Sequence, residues 1–298
     1  MPCTTGSRRV RYVPSLAPTT HMSHRPSRAV AGDTDPLTAR AHAVWTSGDY
    51  GRIAAGYERG AAEFVVRLDI DPRELVLDVA CGTGNLTIPA ARSGAAVTGV
   101  DIAPNLLAQA RGRAAAEGLS VRLEIGDAER LRYGDAEFDV AMSMFGVMFA
   151  PRPERVTAEL LRVVRSGGRI AMANWTPTGF VGVLLATAVR YAPATSLAPT
   201  ALLWGTEQMV RDWLGAGLST LATSRRIVCL EYPLDPPAVV EQFIRSDGLT
   251  MDAFESMDDA GRHDYRQELE AIWRDHNRAS DGTTSVEAEY LEVVGIVT

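Results

Sequence analysis

The segment from Val76 to Asn85, reading VLDVACGTGN, holds the densest chemical signal in the chain. A short apolar run interrupted by one acid, Asp78, leads into Gly82-Thr83-Gly84. Glycine has no Cβ, so the backbone can turn sharply there and a ligand can lie against it. A helix starting just beyond would offer unpaired N–H groups and the positive end of its dipole, which suit an anion such as a carboxylate. A dinucleotide fingerprint needs a third glycine where this chain has Thr87, and a pyrophosphate would not favour a carboxylate four residues before the glycines. Asp78 suits a ligand with an ammonium group instead. Its bland alternative is a buried acid satisfied by a backbone donor, since an unpaired buried carboxylate is costly.

Two more acids stand at the ends of strand-like runs. Ala96 to Val100 leads to Asp101, whose carboxylate can accept from two ribose hydroxyls. Val121 to Ile125 leads to Gly126-Asp127, where Asp127 could accept from an exocyclic amine. The plainer readings make Asp101 a cap for a helix opening at Pro104, and Asp127 a turn residue. Taken together, the three acids and the glycine turn describe a pocket for an amino acid, a ribose and an adenine at the carboxyl ends of strands.

The elements that must position these residues are readable between Ala41 and Trp175. Ile53, Ala54, Tyr57, Ala61, Phe64, Val65 and Leu68 follow helical spacing. Leu75 to Ala80 is a continuous apolar run of the kind covered on both faces in a parallel sheet. Phe138 to Met144 and Arg169 to Trp175 read as further strands, Pro153 to Val164 as a helix, and Ser166-Gly167-Gly168 as a turn. This strand–helix alternation predicts a doubly wound α/β sheet with right-handed crossovers. Beyond Trp175 the rhythm breaks. Residues 176–224 are rich in Leu, Ala, Thr and Pro; Arg226 to Tyr232 and Glu287 to Val297 read as strands, with a charged helical stretch at 236–279 between them.

The match at Leu77-Asp78-Val79-Ala80-Cys81-Gly82-Thr83-Gly84-Asn85, Asp101-Ile102, Gly126-Asp127-Ala128, Phe138-Asp139-Val140 and Gly167-Gly168 makes the chain resemble the class I S-adenosylmethionine-dependent methyltransferases. It is closest in character to small-molecule enzymes of the ubiquinone/menaquinone-methyltransferase type. The resemblance covers about residues 41–175. It implies a Rossmann-like seven-stranded sheet with an antiparallel final strand and helical insertions after strands five and six. It further implies S-adenosyl-L-methionine as cofactor, with Gly82 and Gly84 packed under the methionine moiety and Asp78 near its ammonium. Asp101 with Ile102 would serve the ribose, and Asp127 with Ala128 the adenine. Ala80, Thr83 and Asn85 belong to the same loop. Ser143 to Gly146, including Phe145, would line the methyl end, and Trp45 and Tyr50 would close over the cofactor, although both could be ordinary core residues.

The expected activity is methyl transfer to a small, apolar organic acceptor, on an O, N or C atom that the sequence does not specify. The acceptor pocket is expected in the insertions at 176–224 and 236–279. His263, His276 and Tyr265 are the candidates for a general base, and the two histidines read equally as solvated surface residues. Alternatives are a non-methylating cyclase on the same fold, a nucleotide-cofactor oxidoreductase and a cofactor-binding regulatory protein.

Composition narrows the classes. All 30 basic residues are arginine, which excludes a P-loop lysine, a Schiff-base lysine and a lysine base. Cys3, Cys81 and Cys229, with five histidines, form no disulfide framework and no zinc pattern, so no metal is expected and a reducing cytoplasm fits. Cys81 reads as a small packed hydrophobe. A net charge of −7 argues against nucleic acid as partner, and no apolar run is long enough for a membrane span. Residues 1–32, with five arginines and no acid, read as a disordered basic tail before one domain spanning 41–298.

Overall fold

A computed structural model describes residues 35–192 and 198–298. The expected tail at 1–32 lies outside the described residues. In chain order the elements are α1 (Pro36–Thr46), α2 (Gly51–Ala54), α3 (Glu58–Leu68), β1 (Leu75–Val79), α4 (Thr87–Arg92), β2 (Ala96–Asp101), α5 (Pro104–Ala116), β3 (Arg122–Ile125), β4 (Phe138–Met144), α6 (Pro153–Val163), β5 (Val164–Trp175), α7 (Phe180–Tyr191), α8 (Ala198–Leu203), α9 (Glu207–Leu214), β6 (Leu218–Tyr232), α10 (Pro236–Ser246), α11 (Gly248–Glu255), α12 (Asp259–His276) and β7 (Thr284–Val297).

The strands form one seven-stranded sheet in the order β3-β2-β1-β4-β5-β7-β6. β1 to β5 run parallel and β7 is antiparallel to both neighbours, which is the expected α/β class with its reversed last strand. β1 is central: from Val76 on, its residues are buried, because helices cover both faces. α6 supplies one cover with Val156, Leu160 and Val163, spaced to face the sheet. α5 starts with proline in its first turn, where a missing N–H costs nothing, and buries Leu106, Leu107, Ala110 and Ala114.

Chain order reverses around β1, since β2 and β3 lie to one side and β4 and β5 to the other. A crevice therefore opens at the carboxyl ends of β1 and β4. Residues just past those ends are left-handed without being glycine: Ala80 at φ 56° and Phe145 at φ 55°. Each such residue costs roughly 1–2 kcal/mol, so the surroundings must hold it.

Two boundaries differ from expectation. The insertion placed at 176–224 ends sooner, because β6 begins at Leu218 and pairs with β7 along its length. Its face alternates with exposed residues such as Ser219, Thr220 and Ser224, so it lacks an apolar run to announce it. The glycine turn at 166–168 is real in conformation, with Gly167 at φ 74°, but it sits inside β5. There, Phe138 pairs with Val164 and Val140 with Arg169, so the turn forms a bulge against β4. Among the described residues no helix is long and apolar enough to cross a membrane.

Candidate functional site

The crevice holds a cavity of about 970 Å³, its open mouth included, that gathers residues from the ends of β1, β2, β3 and β4 and from α1 and α2. Of the residues expected on sequence grounds, it is lined by Trp45, Tyr50, Asp78, Ala80, Gly82, Thr83, Asn85, Asp101, Ile102, Asp127, Ala128 and Phe145.

Gly84 and Ser143 are not on its wall. A Cβ at Gly84 would meet Ile88, Ala110 and Thr87 at 3.4–3.6 Å, so that glycine faces the packed helices, and its φ of 84° serves the turn itself. A Cβ at Gly82 would meet nothing within 4 Å, so its bare backbone fronts open space. The Ser143 hydroxyl accepts from the Val147 amide at 3.2 Å inside the core.

The three acids are held differently. Asp78 is buried and accepts from the Thr87 hydroxyl at 2.6 Å. Burial raises its pKa to about 7, with the Thr87 hydroxyl and amide opposing the shift. Asp101 takes the Gly82 amide on Oδ2 at 2.7 Å and the Ala103 amide on Oδ1 at 2.8 Å, so it ties β2 to the glycine turn. Burial also raises its pKa, opposed by those amides. Asp127 accepts from the Glu129 amide at 2.9 Å in a local turn. All three retain lone pairs beside the cavity. The Cys81 thiol lies on the same wall with its pKa pushed well up by burial, which suits packing and not nucleophilic work.

Sequence reasoning misses the clamp on this loop. Arg113, on α5, donates to the Thr83 carbonyl at 2.9 Å and to Asn85 Oδ1 at 2.7 Å, while Asn85 Nδ2 donates to the Ala54 carbonyl at 2.9 Å. Its only sequence signal is an arginine in the last turn of a helix. At the far end, Phe145 is fixed by three aromatic neighbours. It stacks on Trp175 at 3.4 Å and 10°, and it meets the edges of Tyr57 at 5.3 Å and Tyr290 at 5.7 Å.

A second cavity of about 750 Å³ adjoins the first and shares Trp45, Tyr50, Tyr57 and Phe149 with it. Its remaining wall comes from α7, β6, α10, α11 and α12, with Tyr265 among the lining residues. Burial raises the pKa of the Tyr265 hydroxyl, which makes it a poor base. His263 and His276 lie exposed on α12 and line neither cavity; they bond within their helix, to Gln267 and to the Ile272 carbonyl. The buried acid Asp247, on the wall of the second cavity, carried no sequence signal.

A model of the methyltransferase domain family matches residues 76–168. A protein of Mycobacterium tuberculosis is 37% identical over 231 residues, covering 77% of this chain and 84% of its own length. The methyltransferase GfsG of Streptomyces halstedii is 37% identical over 125 residues, covering 41% of this chain and 45% of its own. The solved structure of the YcgJ protein from Bacillus subtilis shares the fold, with a TM-score of 0.56 at 16% identity, covering 80% of this chain and 98% of that one. The chain belongs to the class I S-adenosylmethionine-dependent methyltransferases. It is an enzyme, and S-adenosylmethionine is its cofactor.

Proposed function

We propose that the enzyme methylates a small, largely apolar organic molecule seated in the second cavity. The observation that carries this reading is the shared wall: Trp45, Tyr50, Tyr57 and Phe149 border both cavities, so a ligand in one abuts a ligand in the other. The apolar lining from α7, β6 and α10 to α12 favours an acceptor with an apolar body.

The first cavity suits the cofactor. The open space at Gly82 leaves a cradle that a Cβ would narrow, and the three strand-end acids match the three polar parts of the ligand. Asp78 would hold the ammonium, Asp101 the ribose hydroxyls through the lone pairs its backbone donors leave free, and Asp127 with Ala128 the adenine edge. Met144 and Phe145 would border the methyl end. Bound S-adenosylmethionine would supply a methyl carbon on a sulfonium, open to in-line attack by the acceptor, with the C–S bond breaking and S-adenosylhomocysteine leaving as the neutral thioether.

The rest of the work is positioning. Aligning the reacting atoms at about 3–3.5 Å accounts for much of such a rate. Phe145, locked between Trp175, Tyr57 and Tyr290, is a rigid surface for that alignment. α1 places Trp45 on the wall of both cavities, where it would help to keep water from the reacting atoms. Among the described residues no histidine lines either cavity. The cyclase alternative shares the cofactor corner and differs in whether the methyl group leaves.

Calorimetric titration with S-adenosylhomocysteine tests the corner; no binding at millimolar ligand would end the reading. Incubation of cell extract with the protein and methyl-labelled cofactor, followed by mass spectrometry, tests the transfer. A labelled small molecule and released S-adenosylhomocysteine are expected, whereas a product formed without that release identifies a cyclase.

A further inference from the structure

Nine of the nineteen residues lining the second cavity are aromatic, and one, Asp247, is charged. From these two facts we infer that the acceptor is an organic amine, bound as its cation between aromatic faces and the Asp247 carboxylate. The inference rests on the reading of the second cavity as the acceptor site and narrows its substrate class.

Three observations bear on it. First, the aromatic rings on this wall pack in two clusters. Tyr232, Phe243 and Trp273 meet one another at centroid distances of 6.1, 5.9 and 5.2 Å, and Trp45 meets Tyr50 at 5.4 Å. Ring faces carry negative potential and attract a cation, most strongly where water is excluded. Second, Asp247 is buried, and among the described residues no cation pairs with it. Its stabilising contacts are the Thr250 hydroxyl at 2.6 Å and amide at 3.0 Å, both on Oδ2, together with the Leu249 amide. Among the described residues no arginine or histidine lines this cavity. A buried carboxylate left so is costly, and a cation beside it recovers that cost. Burial accordingly raises its pKa; burial also raises those of Tyr50, Tyr232 and Tyr265, and the Asp247 charge adds to each.

Third, helix capping does not require the charge. Asp247 caps α11, as Asp35, Asp235 and Asp258 cap α1, α10 and α12. Those three are exposed to water, whereas Asp247 is buried on a cavity wall. Asn caps a helix as well as Asp does, so a buried carboxylate on an aromatic-lined cavity wall needs a further reason. An amine that enters protonated also has to lose one proton before its nitrogen has a lone pair, and Oδ1 of Asp247, which none of the Thr250 bonds occupies, can take it.

The test uses the full chain saturated with S-adenosylhomocysteine and reads quenching of tryptophan fluorescence, since Trp45, Trp175 and Trp273 line the cavity. The probes are benzyltrimethylammonium and its uncharged carbon isostere, neopentylbenzene. The cation is expected to bind about tenfold or more tighter than the isostere. Asp247→Asn, which keeps the cap, is expected to abolish most of that difference, and Asp235→Asn to leave it unchanged. Equal binding of the two probes, no binding of the cation, or an unaltered preference in Asp247→Asn overturns the inference. Failure of S-adenosylhomocysteine itself to bind would instead sink the methyltransferase site and is read separately by the calorimetry above.

Discussion

The Thr87 hydroxyl donates to the Asp78 carboxylate at 2.6 Å, across the glycine turn that separates them in sequence. Thr87 stands where a dinucleotide site would have its third glycine, so the departure from that fingerprint has a structural purpose: it supplies the donor that keeps a buried acid able to ionise. Folding holds the Asp78 proton more tightly than the unfolded chain does, because its pKa rises to about 7 on burial. The stability it contributes is therefore full below pH 4 and is lost as pH rises through 7, by at most about 4 kcal/mol. Asp78→Asn removes this titration. In denaturant titrations of the ligand-free protein, the variant should gain on the wild type between pH 5 and pH 8; parallel profiles would contradict the burial of an ionisable Asp78.

Binding should show the same group with the opposite consequence. An ammonium beside Asp78 favours its ionised form, so S-adenosylhomocysteine binding near pH 6.5 releases a proton and tightens as pH rises toward 8. Calorimetry in two buffers of different ionisation enthalpy measures that release directly. Thr87→Val withdraws a donor from the charged form and should move the rise to higher pH. Asp78→Asn should show no release and about tenfold or more weaker binding, from loss of a charge-assisted contact. An equal release in wild type and Asp78→Asn would place the proton elsewhere.

Two glycines should respond differently to the same alanine. Gly146 has no unusual φ, but its Cβ would sit 2.7 Å from both the Cβ and the carbonyl oxygen of Ala80. Ala80 is already left-handed and has no room to retreat. Gly146→Ala should destabilise by about 1–3 kcal/mol, as overpacking does. Gly82 has free space for a Cβ but a φ of 52°. Gly82→Ala should cost about 1–2 kcal/mol in backbone strain, and should weaken S-adenosylhomocysteine binding because the methyl group enters the cavity. Thermal melts with and without ligand separate the two: the ligand-induced shift should shrink in Gly82→Ala.

The contrast between the two halves of the sheet shows what sequence can carry. β1, β2 and β4 are legible because strands buried on both faces must be continuous apolar runs, and the acids that end β1 and β2 break those runs visibly. The first eight residues of β6 are not legible. An edge strand with a solvated face mixes Ser, Thr and Arg with its apolar residues, and only pairing with β7 defines it. The cofactor corner is local in sequence, so its acids and Gly82 can be read together. Gly84 and Ser143 fall within the same motifs, yet a left-handed turn and a buried hydrogen bond aim them into the protein. The second cavity is assembled from segments as distant as Trp45, Val181 and Trp273. No spacing rule links those residues, so Asp247 emerges only from the fold. That His263 and His276 line neither cavity was hidden for the complementary reason: a histidine on a charged helix has no sequence mark for which way it faces.

The closure over both cavities should depend on Arg152. Its guanidinium pairs with Asp35 at the start of α1, at 2.5 Å, and with Glu129 beyond β3, at 3.0 Å. Glu129 is buried, and its pKa is raised by burial while the Arg152 amide and charge oppose the rise. Arg152 thus clasps the helix carrying Trp45 to the strand-end loops that carry Asp127. Arg152→Met keeps the aliphatic stem and removes both ion pairs. Leaving Glu129 without its guanidinium should destabilise by about 1–3 kcal/mol, whereas the half-exposed Asp35 arm contributes less and is screened by salt. The larger effect should be kinetic. With this tether of α1 cut and the Arg40–Asp252 pair to α11 left in place, S-adenosylhomocysteine should dissociate several-fold faster, while its association rate changes little. Stopped-flow fluorescence from Trp45 measures both rates, and wild type in high salt should shift part of the way toward the variant. An unchanged dissociation rate in Arg152→Met would show that α1 stays closed without the clasp, held by the tilted contact of Trp45 with Phe149 at 5.0 Å and by the Arg40–Asp252 pair.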